Sequence, residues 1–393
     1  MEYKAKSTQC VHSGTAADPV TNGVNTPIYT STAYAYLNQP KNLYPRYFNT
    51  PNQRAVIDKV CALEHAEEGL LFSSGMAAIT TALLGLLKQG DHIVFPKEIY
   101  GGTQYMATQE LGKFGIELSF TTGNSAEVFA AQIRPNTRIL FLETPSNPLL
   151  SITDLEAVAQ LARSRGLTTV IDNTFASPIN QNPIDFGIDV VTHSGTKYLG
   201  GHSDISCGIV VSNRELMERI YKSAICFGGN LPAETCYLLE RSLKTLHLRV
   251  TRQNENAMVL AKALQTHSAI DRVFYPGLEN HPGHPVAKKQ MKGFGGMLSF
   301  ELGAMNPLDF LHALRLIKPA MSLGGIESTI VQPWATSHSK ISEAERRGLG
   351  ISERTMRLSV GIEEAEEILS DIEQAIEKGS KRATALSQQE AIN

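Results

Sequence analysis

The chain of 393 residues is 42% hydrophobic, and its 36 basic and 39 acidic side chains leave a formal net charge of −3. It is too long for a single small core and too evenly mixed in charge for a nucleic-acid-binding stripe, so two or three globular domains are expected. No run reaches the ~18 apolar residues of a membrane span, MEYKAKSTQC lacks the apolar centre of a signal peptide, and the five cysteines are scattered and never in a C-x-x-C pair, which predicts a cytoplasmic protein with reduced thiols, no membrane and no metal site.

Residues 1–52, rich in Thr, Asn, Pro and Tyr, show no apolar period and read as an extended arm long enough to reach another subunit. From 53 to about 212, short apolar runs alternate with helical ones: GLLFS, GMAAITTALLGLLKQ, HIVF, YMATQELGKF, IELSF, RILFLE, LEAVAQLARSRG, TTVID, DVVTH, GIVVS. This alternation predicts an α/β domain with a mainly parallel sheet covered on both faces. Helical patterns follow to about 266, and FGGMLSFELG, DFLHALRLI, RTMRLSVGI and EEAEEILSDIEQAIEKG predict a smaller α+β domain, divided from the first at 245/246. The tail KRATALSQQEAIN is expected to fray.

In a parallel sheet, ligands bind outside the carboxyl ends of the strands, where Ser74, Glu143, Asp172 and Ser194 fall. Lys197 follows a strand and lies among Ser194, Thr196, Tyr198 and two glycines; a desolvated lysine there can attack a carbonyl, whereas a solvated one only caps a loop. Asp172 closes TTVID, where a buried carboxylate needs a cation such as a protonated pyridine nitrogen, or else caps the next turn. Ser74 and Gly75 precede a helical run, leaving N–H groups for a phosphate, although an ordinary serine N-cap has the same letters. Tyr100 can stack on a flat ring or pack as a buried tyrosine. Pyridoxal 5′-phosphate has the phosphate, the pyridine, the flat ring and the aldehyde that these residues ask for. The nucleotide loop G-x-x-x-x-G-K-[ST] does not fit, because Thr196 and Tyr198 flank Lys197.

Over nearly its whole length the chain resembles the Cys/Met-metabolism family of pyridoxal-phosphate enzymes, of aspartate-aminotransferase-like fold (fold type I). The resemblance is carried by YPRYFN (44–49), SSGMAA (73–78), YGGT (100–103), ETPSNP (143–148), DNTFASP (172–178), SGTKYLGGHSD (194–204), LKTLHLR (243–249), SLGGIES (322–328) and RLSVGIE (357–363). It implies that Lys197 forms the imine with the cofactor, Asp172 pairs with the pyridine nitrogen and Tyr100 stacks on the ring. It further implies that Gly75, Met76, Ser194 and Thr196 hold the phosphate, joined by Tyr44 and Arg46 from a neighbouring subunit. Asn147 would lie near the phenolic oxygen, while Arg357 and the backbone around Ser322 would hold the substrate carboxylate. A homodimer as catalytic unit, within a tetramer, follows from the same resemblance.

The chain departs from the family where N-P-T reads Asn49-Thr50-Pro51, where S-A-T-K reads S-G-T-K with Gly195, and where H-P-A reads Gln332-Pro333-Trp334. Trp334 stands either at the site entrance or in the packing of the small domain, and His281 and His284 in HPGHP read as loop histidines. Gly102, a cysteine in methionine-cleaving members, speaks against that specialisation. The resemblance implies that Glu327 lies near the distal end of the substrate, where its charge could receive an ammonium; the alternative is a glutamate held by loop hydrogen bonds. The expected reaction is γ-elimination of cystathionine, in the trans-sulfuration route, to cysteine, 2-oxobutanoate and ammonia. The alternatives are replacement on an O-acylhomoserine by cysteine, then sulfide transfer to homoserine esters, β-elimination of cystathionine, or methionine cleavage.

Overall fold

A computed structural model describes residues 3–339 and 342–390, the last eleven of these by backbone alone. The chain forms two compact bodies, one of Met1–Thr144 with Thr153–Leu248 and the other of Pro145–Ile152 with Arg249–Asn393.

The first body is built on β1 (Glu68–Phe72), β2 (His92–Phe95), β3 (Glu117–Phe120), β4 (Thr137–Glu143), β5 (Thr168–Asp172), β6 (Val190–Ser194) and β7 (Gly208–Ser212). They form one seven-stranded sheet in the order β1-β7-β6-β5-β4-β2-β3. All pairs are parallel except those of β7, which is antiparallel to both β1 and β6. Reversing direction twice through β7 brings the carboxyl end of β1 to the same edge as those of β4, β5 and β6. The predicted strand-end residues therefore share one edge, with Glu143 beside Asp172, Asp172 beside Thr192, and Ser194 beside Gly208.

β4 and β5 read as near-continuous apolar runs because both sheet faces are covered. Against one face the helix Gly75–Leu86 buries Ala78, Ile79, Ala82, Leu83 and Leu86, packed on the helix Arg214–Phe227. Each fully buried Leu or Ile contributes about 1.5–3 kcal/mol.

Within the arm segment lie the helix Lys6–His12 and the single 3-10 turn Pro45–Tyr47, which its composition hid. The helix Lys6–His12 is tied to the helix Pro51–Glu64 by Lys59, whose Nζ donates to the Cys10 carbonyl at 3.0 Å and to Thr15 Oγ1 at 3.2 Å. Burial lowers the Lys59 pKa to about 8. The longer helix starts with a capping box in which Thr50 N–H donates to Gln53 Oε1 at 3.1 Å. The exchanged Thr50-Pro51 order thus supplies an N-cap followed by proline at the first helical position.

The second body carries β8 (Ile270–Phe274), β9 (Met297–Leu302), β10 (Lys318–Pro319), β11 (Thr329–Val331) and β12 (Thr355–Ser359). Their order is β10-β11-β12-β9-β8, antiparallel except for β10 with β11. Leu298, Phe300, Met356 and Leu358 of this sheet join Ile368, Ile372 and Ala375 of the helix Ala365–Glu390 in one core. That helix continues to Glu390, so the fraying expected from 381 does not set in there; residues 391–393 lie outside the described residues.

Candidate active site

In the first body the helix Gly75–Leu86 leaves its first N–H groups without intrahelical partners. Ser74 Oγ accepts from Ala77 N–H at 3.1 Å and the Ser74 carbonyl accepts from Ala78 N–H at 3.1 Å. The N–H groups of Gly75 and Met76 then point out of the helix end, where its dipole favours an anion. A Cβ on Gly75 would lie 2.8 Å from Ser194 Cβ and 3.1 Å from its Oγ. Glycine is what lets the Ser194 hydroxyl stand beside the helix end.

Asp172, 8% exposed, sits at the end of β5. Its Oδ1 accepts from Thr174 N–H at 3.0 Å and from the Thr174 hydroxyl at 2.5 Å, and that hydroxyl accepts from Ser194 N–H at 2.8 Å. Burial raises the Asp172 pKa, opposed in turn by the Thr174 bonds and by the charges of His193 and Lys197. A cation brought to this carboxylate therefore relieves an existing desolvation cost.

Lys197 lies half-buried in the turn after β6, its N–H donating to the Ser194 carbonyl at 3.1 Å and its carbonyl accepting from Gly201 N–H at 2.7 Å. Tyr100, 43% exposed, has its backbone N–H on Glu143 Oε2 at 2.7 Å, so β4 orients the turn that presents the ring. A Cβ on Gly102 would stand 2.5 Å from Tyr100 Cε1 and 3.1 Å from Met76 Sδ, which places Tyr100 and Met76 around one point.

The Thr196 hydroxyl is held by the backbone of Cys207, accepting from the N–H at 3.0 Å and standing 3.3 Å from the carbonyl oxygen. A Cβ on Gly195 would meet Cys207 Sγ at 2.5 Å. Cys207 fills the space that the alanine of the usual motif would need. Tyr44 and Arg46 are exposed; Arg46 donates to the Ile225 carbonyl and its guanidinium lies 5.7 Å from the Tyr44 ring and 5.6 Å from that of Tyr47.

Gly208 was silent in the sequence. A Cβ there would lie 2.0 Å from the Ser74 carbonyl oxygen, a backbone atom that cannot swing aside. Gly208→Ala is expected to pry β7 from the Ser73–Ser74 turn and lower the unfolding midpoint in calorimetry; overpacking of this sort costs about 1–3 kcal/mol. An unchanged midpoint would refute the account.

In the second body, Arg357 on β12 is 5% exposed, and its Nη1 donates to Asn147 Oδ1 at 2.7 Å. Ser299, beside Arg357 on β9, donates to the Pro148 carbonyl at 2.7 Å and fixes the segment that carries Asn147. His338 is buried alongside, its pKa lowered to about 4 by burial and by Arg357 and Arg346. It is neutral at physiological pH, so the charges beside it are those of Arg357 and Arg346.

Ser322 takes φ +82° and opens the loop 322–328. Gly324 N–H donates to Ser359 Oγ at 2.7 Å, Gln253 Nε2 donates to the Gly325 carbonyl at 2.7 Å, and Ser328 N–H donates to Glu363 Oε1 at 2.6 Å. Glu327 is thus an exposed carboxylate on a loop anchored on either side. Trp334 packs with Leu149, Phe274 and Ile351, and Arg346 stacks 4.2 Å from its ring, so it belongs to the packing of the small body. His281 lies in a turn as expected, whereas His284 begins the helix His284–Gln290.

Together the first-body residues can hold a phosphate, a cationic ring nitrogen and a flat ring near a lysine. The second-body residues offer a buried arginine for a carboxylate.

The profile of the Cys/Met metabolism PLP-dependent enzyme family matches residues 7–377. A cystathionine gamma-lyase of Bacillus subtilis is 43% identical over 376 residues, covering 95% of this chain and 99% of that protein. The cystathionine beta-lyase MetC of the same species is 42% identical over 375 residues, covering 94% and 96%. The crystal structure of cystathionine gamma-lyase from Lactobacillus plantarum complexed with L-serine superposes with a TM-score of 0.92 at 38% identity, covering 96% of this chain and 100% of that one. The mostly parallel sheet with its smaller C-terminal sheet domain is the fold type I architecture of these neighbours. Among the described residues no helix is long and apolar enough to cross a membrane.

Proposed function

Since the chain belongs to the Cys/Met metabolism family of pyridoxal-phosphate-dependent enzymes, we propose that it cleaves cystathionine by γ-elimination to cysteine, 2-oxobutanoate and ammonia. Its cofactor is pyridoxal 5′-phosphate, and it is a lyase or transferase of that family. The finer reading is supported by full-length likeness to a γ-lyase and carried by Glu327, an exposed carboxylate on an anchored loop.

The donor set fits the cofactor. The Gly75 cradle against Ser194 would admit a phosphate, and the buried Asp172 would answer a pyridinium. Gly75, Met76, Ser194 and Thr196 would hold the phosphate, Tyr100 would cover the ring, Asn147 would meet the phenolic oxygen, and Lys197 Nζ would carry the aldehyde carbon. When bound, the group supplies an electron sink for the pair left at the substrate Cα. Once the substrate amine has taken its place at the aldehyde carbon, Lys197 Nζ would take the Cα proton, hand it on to the bound group, and then, neutral again, take a Cβ proton. The Tyr100 hydroxyl would hand a proton to the departing γ-sulfur. Arg357, held by Asn147, would grip the α-carboxylate with the backbone at Ser322, its planar fork matching two oxygens.

A product assay decides the reaction. Cystathionine is expected to yield cysteine and 2-oxobutanoate faster than O-succinylhomoserine with cysteine, O-acetylhomoserine with sulfide, or methionine give products. Pyruvate and homocysteine from cystathionine would make it a β-lyase, and faster cystathionine synthesis would make it a γ-synthase. Glu327→Ala is expected to raise KM for cystathionine about tenfold, the worth of one exposed charge-assisted contact, with less effect on a γ-substrate lacking the distal ammonium. Equal effects would leave Glu327 a structural residue of its loop.

The arm 1–52 would serve a neighbouring subunit of a dimer, itself half of a tetramer, with Tyr44 and Arg46 reaching the partner's phosphate. Mixing inactive Lys197→Ala and Arg46→Ala subunits should then restore about a quarter of the sites, since half of the randomly exchanged two-fold dimers are mixed and each has one intact site. Exchange proven by mass without recovered activity would place Arg46 in its own subunit's site. The free cysteines accord with work in the reducing cytoplasm.

A further inference from the structure

Behind the strand end that carries Asp172 lies a second ionisable pair. Glu64, the last residue of the helix Pro51–Glu64, is 0% exposed, and its Oε1 stands 2.6 Å from Nε2 of His193, which is 1% exposed on β6. The same Oε1 accepts from Asn173 Nδ2 at 2.9 Å, and Asn182 Nδ2 reaches Oε2 at 3.4 Å. Asn173 is locked in turn, its Nδ2 also on the Gln181 carbonyl at 3.1 Å and its Oδ1 receiving Gln181 Nε2 at 3.0 Å. One carboxylate therefore ties together the neighbour of Asp172 and the neighbour of Ser194.

If ionised, so deeply buried a pair adds little net stability, because the desolvation of both charges offsets their attraction. Its field is the other effect it can have. Burial favours the neutral form of Asp172, and His193 and Lys197 are the cationic side chains that oppose this. Of the two, His193 is the one held by a buried carboxylate, that of Glu64.

We propose that Glu64 is a positioning residue acting through His193: by holding that ring as an imidazolium it keeps Asp172 ionised, and so keeps a proton on the pyridine nitrogen of the bound cofactor. This rests on the reading of Asp172 as the partner of that nitrogen.

The test uses holoenzyme reconstituted with pyridoxal 5′-phosphate labelled with 15N in the ring, and reads the 15N chemical shift in the solid state. The parent is expected to show the upfield shift of a protonated pyridine. Glu64→Gln should move it downfield toward the neutral value, and Asp172→Asn at least as far. The double variant Glu64→Gln/His193→Gln keeps a polar contact without charge and guards against a single variant that fails to fold; it should move the signal as Glu64→Gln does. A parent-like shift in the folded Glu64 variants, with Asp172→Asn displaced, would overturn the role of Glu64 and leave that of Asp172 standing. A parent-like shift in Asp172→Asn would overturn the Asp172 reading and this proposal with it.

Discussion

Lys197→Ala is expected to lower kcat/KM for cystathionine by about 10²–10⁴-fold while leaving the fold intact, because it removes the general base. The turn that bears Lys197 is held by its backbone, through the Ser194 carbonyl on one side and Gly201 N–H on the other, and neither bond needs the side chain. The loss should therefore be chemical, and circular dichroism of the variant should match the parent. Added small primary amines should restore part of the rate if a base is what is missing. Borohydride treatment of the parent should fix the cofactor to the peptide containing Lys197. Label on another lysine, or a variant retaining most of its activity, would remove Lys197 from the centre of the mechanism.

Asp172→Asn is expected to act in opposite directions on the apoprotein and the holoenzyme. A carboxylate whose pKa is raised by folding binds its proton more tightly in the native state, so stability falls as pH rises from its unfolded value toward its folded one, and stays lower above. Asparagine keeps an oxygen for the Thr174 donors and has no charge to desolvate. At neutral pH the apoprotein variant should melt a few degrees higher than the parent, with the difference vanishing in acid. The holoenzyme variant should lose turnover on the order of 10²–10³-fold, since a preorganised charge at the reacting group is worth that much. Calorimetry of the apoprotein across pH, beside steady-state kinetics, checks both. A destabilised apoprotein would mean that Lys197 and His193 already satisfy the carboxylate, and near-normal turnover would mean that it does not hold the ring nitrogen.

What the sequence determined by itself was local. The alternation of apolar runs and helical patterns predicted the parallel sheet, the run RILFLE became β4, Ser74 became a helix N-cap, and the ends of TTVID and DVVTH placed Asp172 and Ser194 on one edge. Each of these follows from spacing or capping within a few residues, so neighbouring letters suffice. The motif resemblance named the family and cofactor, since the residues concerned recur at fixed positions. Only the tertiary structure decided that the chain leaves the first body for residues 145–152, that Asn147 holds Arg357 across 210 positions, and that Glu64 meets His193 across 129. It also decided that Gly208 must lack a side chain because the Ser74 carbonyl lies against it, and that Cys207 takes the room beside Gly195. No local pattern encodes such pairings: two groups far apart in the chain meet because strand order and packing bring them together, and a buried polar group shows its partner only once the surroundings that desolvate it are in place.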